Sequence, residues 1–127
     1  MSKRLLASLV SLALLTFAAV PIAAAAELVM FERDGCPWCE KFDREVAPIY
    51  AKTAEGARAP LRRLNIYAPL PSDLAFIKVE RLTPLFVLVD DGREIGRIRG
   101  YPGDDLFWSQ MAGLMQRLDE AQLAAKR

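Results

Sequence analysis

The sequence predicts an α/β fold in which helices flank one four-stranded mixed sheet. Apolar, β-rich runs at residues 28–31 and 84–89 predict buried strands, helical spacing follows the first run, and an Asp-Gly turn at 91–92 follows the second. The predicted element order is strand, helix, strand, short helix, strand, strand, helix. A helical crossover joins the first two strands, which are therefore expected to run parallel.

The first 26 residues have the three-part layout of a secretory signal peptide. Lys3-Arg4 gives a basic start, residues 5–20 form an apolar run, and small residues fill positions 23–26. We expect cleavage after Ala26, which leaves one domain at 27–127. The alternative is an uncleaved membrane anchor, because the run and the small-residue tract together approach the length that spans a bilayer. The alanine tract favours cleavage and export to the bacterial periplasm.

The composition excludes several classes of function. The chain has 17 basic and 16 acidic residues, and loss of Lys3 and Arg4 with the leader would bring the net charge to about −1. This balance argues against nucleic acid as a partner and, once the leader is removed, against a membrane surface. The chain has no histidine and only two cysteines, so histidine-based catalytic and metal sites are excluded.

The first helix is predicted from the spacing of apolar residues after Pro37, whose missing N–H costs nothing in a first helical turn. Its predicted apolar face consists of Trp38, Phe42, Val46 and Ile49. Pro48 is expected to kink this helix or to end its regular part. Alternating apolar and polar residues at 61–66 then predict the second strand.

A second, short helix is expected at 74–79, after a cluster of helix-breaking residues. Either Ser72 or Asp73 could cap it, because both side chains accept hydrogen bonds from free backbone N–H groups. Its apolar residues Leu74 and Ile77 are expected to face the sheet.

The fourth strand is predicted at 94–99, where isoleucines alternate with charged residues. Asp104 is expected to cap a last helix that runs to the end of the chain. The apolar positions of that helix are Leu106, Phe107, Met111, Leu114, Leu118 and Ala121.

Cys36 and Cys39 stand where the first strand runs into the helix. Cys36 falls in the first helical turn, where unpaired N–H groups and the helix dipole favour an anion, so we expect its pKa to be lowered and its thiolate to attack. Cys39 lies one turn further along and shielded, placed to attack the mixed disulfide that Cys36 forms with a substrate. Residues three apart share a helix face, close enough for a disulfide.

Two other interpretations of the cysteine pair, a zinc site and a structural disulfide, have less support. Zinc requires four ligands, which two cysteines and no histidine cannot supply without carboxylates, so no metal site is predicted. A structural disulfide between Cys36 and Cys39 would close a loop of a few residues and gain little chain entropy. We therefore expect redox chemistry that needs no cofactor beyond the disulfide itself.

Pro37 and Trp38 are predicted to contact the substrate. Proline stiffens the turn and removes one backbone donor, whereas Trp38 offers a flat apolar surface beside the sulfurs for a substrate or for glutathione. The alternative for Trp38 is packing on the helix face.

These residues resemble the thioredoxin superfamily over nearly the whole of 27–127. Three features carry the resemblance: Cys36-Pro37-Trp38-Cys39 after an apolar strand, Thr83-Pro84 before the third strand, and Gly100 near the end of the fourth. The resemblance implies the thioredoxin fold. It also implies a cis Pro84 facing the cysteines, with the backbone of Thr83 bonded to an extended substrate.

The sequence also departs from the thioredoxin pattern. The Pro-Trp dipeptide is more similar to glutaredoxins, and Gly35 replaces the tryptophan usual before the first cysteine. Met30 stands where thioredoxins bury an aspartate; Glu32 could substitute, although a solvated carboxylate is the plainer interpretation. Residues 100–105 are faintly similar to the glutathione-binding segment of glutaredoxins, which makes Tyr101 a candidate contact and leaves glutathione dependence open.

The resemblance implies a periplasmic thiol-disulfide oxidoreductase that reduces disulfides of partner proteins and receives electrons from an upstream thiol donor. The leader, the length and the Gly-Cys-Pro-x-Cys turn are similar to those of the SoxS-type thioredoxins encoded with sulfur-oxidation systems, which makes sulfur-carrier proteins candidate partners. The alternatives are a non-catalytic redox-sensing or peptide-binding module, with a groove around Trp38, Thr83 and Tyr101, and a glutathione-dependent enzyme.

Overall fold

The structure, a computed structural model, describes residues 25–127. The predicted leader therefore lies outside the described residues except for Ala25 and Ala26. The strands are β1 (Glu27–Glu32), β2 (Leu61–Asn65), β3 (Leu85–Asp90) and β4 (Arg93–Arg99). The helices are α1 (Pro37–Glu45), α2 (Ala47–Tyr50), α3 (Ala54–Arg58) and α4 (Asp104–Ala125), and a 3-10 turn occupies Ser72–Leu74.

The sheet has the predicted mixed topology. Its strand order is β2-β1-β3-β4, with β1 parallel to β2 and antiparallel to β3, and with β3 antiparallel to β4. Asp91 and Gly92 form the turn between β3 and β4 and both have positive φ, as a tight hairpin turn requires. The α/β fold class and the hairpin are therefore confirmed.

The two central strands, β1 and β3, are covered on both faces. On one face an aromatic cluster joins the sheet to α1 and α4: the ring of Phe42 lies 4.8 Å from that of Phe86 and 5.3 Å from that of Phe107, between centroids. The other face packs Val29, Phe31, Leu85 and Val87 against Leu74 and Ile77. Burial on both faces explains the continuous apolar runs in these strands.

The predicted short helix at 74–79 does not form. Only the 3-10 turn is present, and the chain beyond it is irregular. Six residues make a marginal helix, and Arg97 from β4 donates a 3.1 Å hydrogen bond to the Lys78 carbonyl, which holds the segment against the sheet instead. Leu74 and Ile77 are nevertheless buried toward the sheet, as predicted.

The predicted apolar face of the first helix is partly wrong. Trp38 and Ile49 are exposed, and the buried positions are Cys39, Phe42, Val46 and Tyr50. The helix breaks at Val46 and restarts as α2, so a single helical period does not run through both pieces. The break lies two residues before Pro48, which confirms that this proline interrupts the helix.

The last helix differs from prediction at its start. Gly103, not Asp104, occupies the cap position, and the Asp104 carboxylate accepts a hydrogen bond from the Asp105 N–H instead. Leu106 is exposed, whereas Phe107, Met111, Leu114 and Leu118 are buried as predicted. The helix α3, capped by the Thr53 hydroxyl, has no counterpart among the predicted elements. No helix among residues 25–127 combines the length and apolar character needed to cross a bilayer.

Candidate active site

Cys36 and Cys39 lie at the junction of β1 and α1, as predicted. Gly35 precedes them with φ of +66°, a left-handed conformation that glycine adopts without steric cost. Cys36 is the N-cap of α1 and Pro37 its first residue. The two cysteines form a disulfide, with their Cα atoms 5.2 Å apart.

The sulfur of Cys36 receives a backbone hydrogen bond. The N–H of Cys39 donates to it over 3.2 Å, inside the first turn of α1. A helix N-terminus carries unpaired N–H groups and a partial positive charge, and both stabilise a sulfur anion more than a neutral thiol. This position favours Cys36 as the attacking thiolate once the pair is reduced.

The disulfide is less accessible than expected. Cys39 is 3% exposed and therefore shielded as predicted, but Cys36, the expected attacking thiol, is only 2% exposed in the oxidised pair. Both cysteines line a pocket of about 450 Å³ whose other walls are mostly charged. A partner must therefore approach through this pocket, or the turn must open on reduction.

A network of charges that the sequence did not reveal forms one wall of this pocket. Arg63 donates hydrogen bonds to the Glu32 carboxylate at 3.0 and 2.6 Å and to the Asp43 carboxylate at 2.7 Å. The carboxylate of Glu32, and secondly that of Asp43, raises the pKa of Arg63. Arg63 reaches this wall because β2 runs parallel to β1, which pairs Met30 with Arg63.

The ion pair with Arg63 determines the environment of Glu32, the carboxylate considered as a substitute for the aspartate that thioredoxins bury. Met30, at the position where thioredoxins bury an aspartate, is fully buried in the apolar core. Glu32 is ion-paired with Arg63 and 29% of its side chain is exposed, so it is a partly solvated, charge-compensated carboxylate.

Trp38 is 56% exposed, beside the cysteines in sequence but outside the core. The ammonium group of Lys41 lies 5.8 Å from the centroid of its ring, within the range of a cation–π contact. The packing interpretation of Trp38 is therefore wrong, and the exposed ring leaves an apolar surface next to the disulfide.

The segment Thr83-Pro84 lies at the same edge of the sheet as the cysteine turn. The peptide bond between them is cis, as the resemblance implied. Phe31 in β1 pairs with Leu85 in β3, so the end of one strand and the start of the other are neighbours. Thr83 is partly exposed there.

Gly100 follows β4 with φ of +77°, and its N–H donates a 2.8 Å hydrogen bond to the Pro84 carbonyl. Tyr101, expected to line a substrate groove, is only 3% exposed. Its hydroxyl donates a 2.7 Å hydrogen bond to Glu45, and its ring packs against Phe42. The expected groove contact of this side chain is therefore corrected: Tyr101 ties the loop after β4 to α1.

Within the part of the chain that the structure describes, no group of three or more acidic or cysteine side chains is arranged to hold a metal ion. The arrangement consists of a disulfide at a helix N-terminus, an exposed aromatic ring beside it, and the partly exposed Thr83 before the cis Pro84.

A solved structure is similar to the chain over most of its length. The crystal structure of the periplasmic thioredoxin SoxS from Paracoccus pantotrophus, in its reduced form, matches with a TM-score of 0.70 and 43% sequence identity. The match covers 73% of this chain and 98% of that one. No protein-family model matches the chain, and no curated protein is significantly similar to it.

Proposed function

Because the chain belongs to the thioredoxin family and is a thiol-disulfide oxidoreductase with the redox-active pair Cys36–Cys39, we propose that it reduces disulfides of partner proteins in the periplasm. The observation that carries the proposal is the position of Cys36. Its sulfur lies at the N-terminus of α1 and accepts the N–H of Cys39, an arrangement that stabilises an attacking thiolate.

The reaction moves two electrons from the dithiol to the partner. The Cys36 thiolate attacks one sulfur of the partner disulfide, that S–S bond breaks, and the second partner sulfur leaves as a thiolate that takes up a proton. Cys39 then loses its proton and attacks the Cys36 sulfur, which releases the first partner thiol. The Cys36–Cys39 disulfide remains, and an upstream thiol donor reduces it for the next cycle.

Two features support the reducing direction. Dedicated disulfide-forming oxidants of this superfamily usually carry an inserted helical domain, whereas the helical elements of this chain between β1 and β3 are the short helices α1, α2 and α3 and the 3-10 turn Ser72–Leu74. The similar protein SoxS is itself a periplasmic thioredoxin.

The substrate surface that we propose lies beside the pair, at the edge of the sheet where β1 ends and β3 begins. Pro37 and Trp38 offer an exposed apolar patch, Thr83 offers its backbone beside Pro84, and Gly100 lies behind that segment. Glutathione at this surface stays an alternative substrate. Rapid, saturable regeneration of the protein by reduced glutathione would identify a glutathione-dependent enzyme instead.

We also propose the cell compartment and the class of partner. The leader is cleaved after Ala26, and the domain at 27–127 acts in the periplasm, where sulfur-carrier proteins are candidate substrates because the similar protein is SoxS. The strand β1 begins at Glu27, directly after the proposed cleavage site. N-terminal sequencing of the periplasmic protein should begin at Glu27; an intact leader in a membrane fraction would contradict this.

The decisive experiment separates turnover from binding. In the cell envelope, Cys39→Ser should accumulate mixed disulfides between Cys36 and partner proteins, because the resolving thiol is missing. Cys36→Ser and the double serine variant serve as matched controls and should accumulate none. Equal trapping by both single variants, or trapping by neither, would favour the non-catalytic binding module.

A further inference from the structure

A second pocket, of about 780 Å³, opens beside the cysteine turn. Arg33, Tyr67, Arg81 and Thr83 contribute to its wall, together with the apolar side chains of Ile66, Val79 and Leu82. Arg33 also lines the smaller pocket that contains Cys36 and Cys39. The two pockets therefore meet at Arg33, and Thr83 places the larger one against the proposed substrate surface.

The distance from Cys36 to this pocket is short. Arg33 precedes Cys36 by three residues, which corresponds to at most about 10 Å along the backbone. A partner chain held on Cys36 by a mixed disulfide spans that distance with about three extended residues. Side chains close in sequence to the partner's cysteine can therefore reach the larger pocket.

The pocket presents two cationic groups without a carboxylate partner among residues 25–127, although Arg33 donates one 3.3 Å hydrogen bond to the backbone carbonyl of Asp34. Neither Arg33 nor Arg81 lies within salt-bridge distance of a carboxylate among residues 25–127, and both side chains are exposed. The neighbouring arginines Arg62, Arg63, Arg97 and Arg99 are all ion-paired. Glu80 also lines this pocket, but its carboxylate accepts hydrogen bonds from Arg97 and Arg99. It therefore does not neutralise Arg33 or Arg81.

The rim of the pocket carries an exposed aromatic side chain. Tyr67 is 81% exposed and stands next to the apolar wall formed by Ile66 and Leu82. Tyrosine and arginine are the residue types that contribute most to the affinity of protein interfaces. Guanidinium groups beside an aromatic ring and a polar backbone segment suit a peptide with carboxylate side chains.

We propose that the larger pocket selects partner proteins with acidic residues about three positions from the cysteine that Cys36 attacks. The carboxylates of these acidic residues bind Arg33 and Arg81, while Tyr67 packs on the backbone of the partner. This inference rests on the proposed function, because it names the partners of the same thiol exchange.

The test uses two synthetic peptides, each with one cysteine joined by a disulfide to the same chromogenic thiol. One peptide has aspartates at the third and fourth positions on either side of the cysteine, and the other has asparagines at the same positions. The reduced protein is mixed with each peptide, and release of the chromogenic thiol gives the rate constant of a single turnover.

The wild-type protein should reduce the acidic peptide about three- to tenfold faster than the neutral one at low ionic strength, the range expected for a few partly solvated charge pairs. Salt should diminish the ratio. Arg33→Gln with Arg81→Gln should bring the ratio close to one. The matched control, Lys52→Gln with Arg127→Gln, removes the same charge outside this pocket and should keep the preference.

Charge reversal provides a second arm. Arg33→Glu with Arg81→Glu should prefer a peptide with lysines at these third and fourth positions, and thermal unfolding verifies that each variant is folded. Equal wild-type rates on both peptides would overturn the inference. The inference would also be overturned if the double glutamine variant kept the preference for the acidic peptide, or if the control variant lost that preference to the same extent. A third contrary result would be that the arginine substitutions change the rate of regeneration by glutathione but not the ratio of the two peptide rates.

Failure of the inference and failure of the proposed function give different results. If the inference alone is wrong, both peptides still react at equal rates and Cys36→Ser abolishes both reactions. If the proposed function is wrong, Cys36→Ser releases the chromogenic thiol as fast as the wild-type protein does.

Discussion

The N–H of Gly100 donates a 2.8 Å hydrogen bond to the carbonyl oxygen of Pro84. This bond continues the antiparallel ladder of β3 and β4, whose last pair is Leu85 with Arg99. It holds the segment that carries Thr83 at the edge of the sheet. The backbone of Gly100 therefore positions part of the proposed substrate surface.

Gly100→Ala should destabilise the protein by about 1–2 kcal/mol, the cost of a left-handed conformation for a residue with a Cβ atom. An added Cβ at this position would meet no atom within 4 Å, so the cost comes from the φ of +77° alone. Urea unfolding measures the change in the free energy of unfolding.

Gly113→Ala is the matched control for Gly100→Ala. Gly113 lies inside α4, and an added Cβ there would also meet nothing within 4 Å. Alanine should stabilise the helix by about 0.5–1 kcal/mol. If both substitutions changed stability in the same direction, the backbone explanation would be contradicted.

Glu80 fastens the segment before Thr83 to β4. Its carboxylate accepts hydrogen bonds from Arg99 and Arg97, and these bonds, that of Arg99 first, lower the pKa of Glu80 to about 2. Glu80→Gln should therefore accelerate amide hydrogen exchange at Leu82, whose N–H donates a 2.9 Å hydrogen bond to the Glu80 carbonyl. Glu94→Gln removes a carboxylate from the same Arg97 without freeing the segment, and it should leave that exchange unchanged.

The lowered pKa of Glu80 also predicts that the folded protein loses stability as the pH falls. A carboxyl group with a depressed folded-state pKa stabilises the fold above its unfolded pKa of about 4.3, and this contribution is lost as the pH falls toward 2. The wild-type protein should lose more stability than Glu80→Gln over that range in urea unfolding. Parallel pH profiles for the two proteins would show that these ion pairs contribute nothing.

Tyr50 predicts that the folded protein loses stability as the pH rises into the alkaline range. Its hydroxyl donates a 2.7 Å hydrogen bond to the Ala59 carbonyl, and burial, followed by the charge of Glu55, raises its pKa. Such a group stabilises the fold fully below its unfolded pKa of about 10, and the contribution is lost as the pH rises beyond it. Urea unfolding should show a steeper loss above about pH 10 for the wild-type protein than for Tyr50→Phe; identical slopes would contradict the burial of this hydroxyl.

The sheet and the cysteine pair could be predicted because each rests on a local pattern. The apolar run that became β3 is buried along its whole length, and the Asp91-Gly92 turn has the backbone angles that its residue types favour. The Cys36–Cys39 spacing and the position of Pro37 at the helix start are likewise local.

The features that the sequence did not reveal depend on contacts between distant residues. Tyr101 is buried where its hydroxyl donates a hydrogen bond to the carboxylate of Glu45, 56 positions earlier. Arg63 reaches the cysteine pocket through the register of β1 and β2. The inward position of Cys39, in place of Trp38, follows from Cys36 being the N-cap, which sets the phase of the helix. No periodicity in one segment contains this information.

The central claim concerns the sulfur of Cys36, and titration of that thiol tests it most directly. In the Cys39→Ser variant, the pH dependence of alkylation reports Cys36 alone, while the backbone N–H that bonds its sulfur is retained. The account predicts a pKa clearly below the value of about 8.5 for a free cysteine, and it predicts that alkylation of Cys36 in the wild-type protein abolishes reduction of protein disulfides. A thiol that ionises like free cysteine, or an alkylated protein that still reduces disulfides, would contradict it.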